Sequence, residues 1–274
     1  TQLMSLFTLL ALICYWQGRT LIDLHPRRGL VWLAGSLLPF GLLAVLSKEN
    51  GALLLLLILL CEGFLFTAAP VNPWFRRWRL FGVVLPLALV VVYLLVTAPA
   101  AIAGYETRHF SLLERLLTEA RVVLDYLFNI LVPNPGVGRL YFDDFRVSES
   151  LLSPPGTLIA VLLIALLLAG AWRLRLRQPV LGFGLCWFFA LHLLESTWLP
   201  LELYFEHRNY LPMIGLLIIV VWYSGKASSW LARRYSYRLA SGALVIGGVL
   251  LIGYLSLITV NLSRQWGDGY RLHA

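Results

Sequence analysis

Charged residues are what this chain has least of. Only 13% of its 274 residues are Asp, Glu, Lys or Arg, against roughly 25% in a soluble domain, which excludes an ordinary water-soluble globule. Cysteine is scarce as well. Cys14, Cys61 and Cys186 are odd in number and far apart, so they make neither a disulfide framework nor a metal-ligand spacing; each falls inside an apolar run and reads as a packing residue. The chain also lacks a Ser/His/Asp elbow, a GxGxxG turn, a P-loop, an HExxH helix and a Cys pair, so soluble nucleotide chemistry has no support. No repeat of 20 to 50 residues and no low-complexity linker divides it, which leaves one domain over residues 1–274.

What is abundant is apolar: 59% of residues are hydrophobic and the mean hydropathy is +0.79. A hydrocarbon core about 30 Å thick needs about 20 apolar residues in a helix. Runs approaching that length occur at 3–16, 29–46, 52–68, 80–99, 156–172, 180–199, 211–224 and 239–261. They predict an all-α polytopic membrane bundle of about eight spans. The first run opens without Met, basic leader or small-residue cleavage site, so the expectation is a fragment of a longer protein. Trp16, Trp74, Trp78, Trp172, Trp198, Trp230 and Trp266 sit close to run ends, as interfacial anchors do.

Net charge is +8, yet the cations form no single patch, which argues against nucleic acid. They alternate by connection instead. Lys and Arg number 3, 1 and 3 in the first three short connections and 3, 1 and 4 in the last three, with 5 in the long connection 100–155. By the positive-inside rule the Arg-rich connections are cytoplasmic, which puts 12 of the 14 acidic residues, all but Asp23 and Glu62, on or near the outer side. Function is expected there. Within 100–155, residues 111–131 carry an apolar stripe at 113, 116, 117, 120, 124, 127, 128 and 131, with Glu114, Arg115, Glu119, Arg121 and Asp125 largely opposite. Ser111 and Glu114 have capping-box spacing, and Pro133, Pro135 and Gly136 are stop signals. The pattern predicts an amphipathic helix lying flat on the outer leaflet. The adjacent carboxylates Asp143 and Asp144 are a candidate metal or acid/base pair, or a solvated loop.

Two outward clusters could carry chemistry. The tight connection Ser47-Lys-Glu-Asn-Gly51 offers Lys48 as a point-charge phosphate ligand and Glu49 to orient it, or else a self-paired interface marker. The stretch 195–212 gathers Glu195, Glu202, Glu206, His207 and Arg208 beside an apolar run. A charge near hydrocarbon costs about 2.5–3.5 kcal/mol on insertion scales, so such a group implies pairing, a wet cavity or a polar ligand. The spacing of the three glutamates fits one helical face, but Pro200 breaks a helix between them. Arginines, a lysine and carboxylates at an outer-leaflet cavity suit a lipid-linked phosphate donor, with a carboxylate as base on an acceptor hydroxyl.

Leu46-Ser-Lys-Glu-Asn-Gly51 and Phe205-Glu-His-Arg-Asn-Tyr-Leu-Pro212, with the terminal Ser263-Arg-Gln-Trp-Gly-Asp268, resemble the signatures of the transmembrane-and-tetratricopeptide O-mannosyltransferases, and more closely their bacterial relatives. The resemblance implies the GT-C class of glycosyltransferases, a polyprenyl-phosphate sugar as donor, a protein or glycan acceptor, the bacterial inner membrane and a periplasmic active face. Lys48, Glu49, Glu206, Arg208, Tyr210 and Pro212 match the family's positions, which implies that Lys48 and Arg208 hold the donor phosphate while Glu206 and Glu49 orient those cations or a metal. The residues themselves add His207 as a further phosphate ligand and Glu195, Glu202 and Tyr210 as orienting groups. The resemblance also implies a general base ahead of this region, with Glu206 the candidate within it, and tetratricopeptide repeats after residue 274, so this segment by itself is expected to be inactive. Other readings of the same residues are an O-antigen polymerase or ligase using diphosphate-linked glycans, a transporter, and a non-catalytic membrane scaffold. Against a transporter stands the gathering of ionisable residues at one side rather than mid-membrane.

Overall fold

The computed structural model describes residues 1–66, 68, 70–133 and 145–266, with side chains to Arg264. Among them there is no strand and about 80% of the structure is helical. Helix α1 (Gln2–Leu21) leads to α2 (Pro26–Gly35), which passes through a π-helical stretch Ser36–Gly41 into α3 (Leu42–Ser47). The π stretch surrounds Pro39, whose missing N–H and ring bulk interrupt α-helical bonding without ending the rod. After an extended Lys48 and a 3₁₀ turn Glu49–Leu53 comes α4 (Leu54–Phe64). Asn72 caps α5 (Pro73–Trp78) by accepting from the Trp74 N–H at 2.9 Å. A second π stretch, Arg79–Val84, joins α5 to α6 (Leu85–Ala103). Then follow α7 (Leu112–Leu131), α8 (Gly156–Leu174), α9 (Pro179–His192), α10 (Pro212–Arg234) and α11 (Tyr237–Trp266).

Five of these segments are long and apolar enough to cross a membrane: Pro26–Ser47, Pro73–Thr107, Gly156–Leu174, Pro212–Arg234 and Tyr237–Arg264. The expected runs 3–16, 52–68 and 180–199 fall instead on α1, α4 and α9, outside those five. Helices α4 and α9 are apolar but short, 11 and 14 residues against the roughly 20 that cross a hydrocarbon core. Residues Tyr15, Leu57, Ile58, Trp187 and Leu191 of these three helices form the centre of the main core, where neighbouring helices replace lipid. The outer helices are the reverse, for α6 has no buried residue and none of the apolar window of α11 is buried. Apolar surface directed outward is stable only where the solvent is itself hydrocarbon.

The closest crossing sets the position of the site. Helices α9 and α10 meet at Gly184 and Gly215, where a Cβ added to either would stand 2.4 or 2.6 Å from the other's carbonyl oxygen. Trp187 Nε1 donates to the Leu211 carbonyl at 3.0 Å beside it. Small residues let the two backbones touch, so the chain between these helices, residues 193–211, is held in a short bridge at one end of the bundle.

Candidate functional site

That end of the bundle collects Lys48, Glu119, Glu195 and Arg208. Lys48 owes its place to Gly51, where any Cβ would meet the Ala44 backbone at 2.3 Å. The turn therefore folds tightly back on α3 and projects the lysine across to the bridge between α9 and α10. There Lys48 Nζ pairs with Glu195 Oε1 at 2.5 Å. Arg208, in the 3₁₀ turn Glu206–Tyr210, has Nε 3.8 Å from Glu195 Oε2 and Nη1 3.7 Å from Glu119 Oε1. Arg115 Nη2 stands 2.9 Å from the same Glu119 oxygen. The result is a chain of alternating charge, Lys48–Glu195–Arg208–Glu119–Arg115, with three cations to two carboxylates.

Helix α7 supplies two of the five. Its Ser111–Glu114 capping box is present as expected and it ends at Leu131, ahead of Pro133. Its orientation differs from expectation. The face thought to be solvated is turned into the protein, with Arg115 0% and Glu119 2% exposed, while Leu113, Leu116 and Phe128 of the apolar stripe are exposed. The bridge explains this inversion. Residues 193–205 form no regular helix, leaving carbonyls without intrahelical donors, and Arg115 donates to three of them: Thr197 through Nε at 2.9 Å, Glu195 through Nη2 at 2.8 Å, and Leu201 through Nη1. Farther along α7, the Phe205 N–H donates to the Tyr126 hydroxyl at 2.6 Å and the Tyr204 hydroxyl donates to Asp125 at 2.7 Å. The inner face of α7 thus provides hydrogen-bond partners that a bridge without secondary structure needs.

The two carboxylates differ electrostatically. Burial alone pushes Glu195 up, but the bond and charge of Lys48, then Arg208, outweigh it and hold the carboxyl below its ordinary value, so it is ionised. Burial dominates at Glu119 despite Arg115 and Arg208, and pushes it up to about 7. Neither Glu119 oxygen receives an aligned hydrogen bond among the described residues, because the Arg115 N–H groups aim at carbonyls. His192 closes the back of the site, its ring nitrogens 2.8 Å from the Phe188 carbonyl and 3.2 Å from Asn209 Oδ1. Lys48, Asn50, Glu195, Arg208 and Pro212 border a shared hollow with about 10 Å³ of free space, room for about one water.

Of the residues singled out in the sequence, Lys48, Glu195 and Arg208 converge. Glu202 does not join them; its carboxylate is exposed and paired with Arg108, and its backbone carbonyl accepts from Arg208 at 2.7 Å. The three glutamates therefore share no face, as the break at Pro200 implied. Glu49 is exposed on the far side of the turn, and Glu206 is half-buried within the 3₁₀ turn. His207 and Tyr210 are exposed and line a neighbouring open hollow. Asp143 and Asp144 lie outside the described residues. Among the described residues no group of three or more His, Cys, Asp or Glu is placed to hold a metal, and the cysteines are free. Sequence reasoning passed over Arg115 and Glu119 as surface charges. A signal was present: Val122, Val123 and Tyr126 continue the line of Arg115 and Glu119 along the helix, so the charged face is itself half apolar.

The fold and site define an all-α, membrane-type helical bundle with a buried ionic chain at one end. Comparison with models of protein families, with curated proteins and with solved structures found no match.

Proposed function

We propose that this chain is the membrane-embedded part of a glycosyltransferase that takes a sugar from a polyprenyl-phosphate donor and passes it to a periplasmic protein or glycan, at the outer face of a bacterial inner membrane. The observation that carries the reading is the meeting of Lys48 and Arg208, 160 residues apart in sequence, on the two oxygens of Glu195 around one hollow. A third cation, Arg115, leaves the cluster with more positive than negative charge at an end flanked by apolar, lipid-compatible helices, which suits an anionic headgroup on a lipid tail. The hollow is closed by the Lys48–Glu195 pair, so a donor phosphate enters by parting that pair and taking over both cations. These residues bind and orient; on the family resemblance, the base that deprotonates the acceptor belongs to the region ahead of this chain.

Replacing Arg208 or Lys48 with Ala in the complete protein removes a charge-assisted hydrogen bond worth about 1.5–3 kcal/mol, or roughly 10- to 150-fold in donor affinity. Isotope-labelled polyprenyl-phosphate sugar provides the assay. Loss of donor binding and transfer with normal membrane insertion is the expected result, and wild-type turnover by both variants refutes the assignment. Uptake without transfer would point to a transporter, and no interaction with the wild type to a scaffold.

A further inference from the structure

At the end of the bundle opposite the ionic chain, the charge is of one sign. Helix α10 starts close to Arg208 and runs 23 residues, about 34 Å at about 1.5 Å per residue. Near its far end the Tyr223 hydroxyl donates to Gln178 Oε1 at 2.8 Å, which ties α10 to the turn between α8 and α9. Residues 173–179 and 225–238 together hold seven Lys and Arg and no Asp or Glu. No carboxylate among the described residues pairs with Lys226 or Arg233. Trp222, Gly225, Lys226, Ser229 and Arg233 border a hollow of about 570 Å³, within the range of about 300–1,000 Å³ common for small-ligand sites. Their spacing along α10 puts them on one face, and Gly225 leaves the floor of that face open, since a Cβ there would meet nothing within 4 Å. Lys226 Nζ stands 5.4 Å from the ring centres of Trp222 and Tyr223, close enough for cation–π attraction to hold the ammonium beside the rings. Ser229 Oγ donates to the Gly225 carbonyl at 2.9 Å and keeps its lone pairs for another donor. One turn toward the middle of the bundle the same helix turns apolar, with Ile218 and Val221 exposed.

We infer that this face of α10 binds the headgroup of an anionic glycerophospholipid of the surrounding leaflet. Lys226 and Arg233, two turns apart, close on the phosphate from either side, Ser229 accepts from a headgroup hydroxyl, and the acyl chains follow Ile218 and Val221 along the helix. Two observations favour a lipid over a free anion. The cations stand where a helix with only 11% of its apolar window buried reaches its polar end, so a hydrocarbon track leads directly to them. The cluster is also uncompensated, and a basic pocket at the Arg-rich end of a membrane bundle is drawn to anionic headgroups, whereas a choline or ethanolamine headgroup would add a cation to it. The site shares no residue with the proposed donor site and lies at the other end of the bundle.

Native mass spectrometry of the full chain in neutral-detergent micelles, titrated with dioleoyl phosphatidylglycerol, dioleoyl phosphatidylcholine and glycerol phosphate, tests this. Wild type is expected to prefer phosphatidylglycerol to phosphatidylcholine. In Lys226→Gln/Arg233→Gln the affinity for phosphatidylglycerol should fall roughly 25-fold, about fivefold for each of two cations, with phosphatidylcholine unchanged. The charge-keeping pair Lys226→Arg/Arg233→Lys should retain most of the preference, which separates lost charge from lost fold. Arg76→Gln/Arg77→Gln is the control for cations in general: both are exposed at the same end of the bundle, with Arg77 over the Trp74 ring at 4.9 Å, yet neither borders the hollow. A preference missing in wild type, surviving Lys226→Gln/Arg233→Gln, or lost equally in the Arg76/Arg77 control overturns the site. Binding of glycerol phosphate as tight as that of phosphatidylglycerol overturns the lipid as its occupant.

Discussion

Arg115 offers the most demanding test of how the site is built. Its guanidinium is buried completely and donates to the carbonyls of Glu195, Thr197 and Leu201, so it is the cross-link that shapes residues 193–205. Arg115→Lys keeps the charge and the proximity to Glu119 but replaces a planar fork with a single ammonium whose reach covers one carbonyl. Two buried carbonyls lose their donor, at about 1–3 kcal/mol each, which gives an expected destabilisation of about 4 kcal/mol. Reversible unfolding in mixed micelles, followed by helical circular dichroism against the mole fraction of denaturing detergent, measures it. Limited proteolysis supplies an independent readout, because the loosened bridge should be cut between 193 and 205 before the rest of the chain unfolds. A second variant separates the cross-link from the ion pair. If the value of Arg115 lay in its charge on Glu119, then Glu119→Gln in an Arg115→Met background would recover most of the loss; the geometry predicts small recovery, since the carbonyls remain orphaned. Stability of Arg115→Lys within about 1 kcal/mol of wild type, the size of one ordinary hydrogen bond, would refute the reasoning.

Glu119 titrates near 7 in the folded protein, against 4.5 ordinarily, because of burial; the folded state therefore holds a proton that the unfolded state has released, and its contribution to stability is present below pH 4.5 and lost as pH rises through about 7. Unfolding followed from pH 5 to 8 should show that decline, Glu119→Gln should flatten it, and an unchanged slope would contradict the assignment. The same titration predicts tighter binding of a phosphate lipid at pH 6 than at pH 8, as neutral Glu119 leaves Arg115 and Arg208 less compensated. Gly184→Ala or Gly215→Ala forces a methyl to within 2.6 Å or less of a facing carbonyl, an overpacking worth about 1–3 kcal/mol, readable in the same micelle assay. At the other end of the bundle, Tyr15, buried with its hydroxyl donating to the Glu62 oxygen that also accepts from Arg19, should cost about 1.5–3 kcal/mol as Tyr15→Phe, the worth of one hydrogen bond to a charged group.

Hydropathy located the outer helices well, and for a physical reason. The runs 156–172 and 239–261 lie within Gly156–Leu174 and Tyr237–Trp266, because a lipid-facing helix must be apolar along its length and its sequence records that alone. The inner helices were read less well. The run 180–199 overshoots α9, which ends at His192; a window average passes over Glu195 because the leucines around it dominate, and nothing local to the segment shows that its carbonyls are met by an arginine 80 residues earlier. Likewise 52–68 reads as one span, whereas its first residues form a 3₁₀ turn and α4 covers only Leu54–Phe64.

The site was legible where a residue had to be explained by its own neighbourhood and illegible where it served another segment. Lys48, Glu195 and Arg208 interrupt apolar sequence, so their cost in hydrocarbon points to a compensating partner, and they prove to be one another's partners. Arg115 and Glu119 sit in a helix polar enough to need no such excuse. A helix lying flat on a leaflet sets its apolar stripe in lipid and its charged face in water, which is what the pattern of α7 predicts. The charged face turns to the protein instead where the interior holds carbonyls without donors: that orientation satisfies the bridge and leaves Leu113 and Phe128 exposed to meet hydrocarbon. The orientation of α7 was therefore decided by the hydrogen-bond needs of residues 193–205, which a periodicity plot of α7 does not contain.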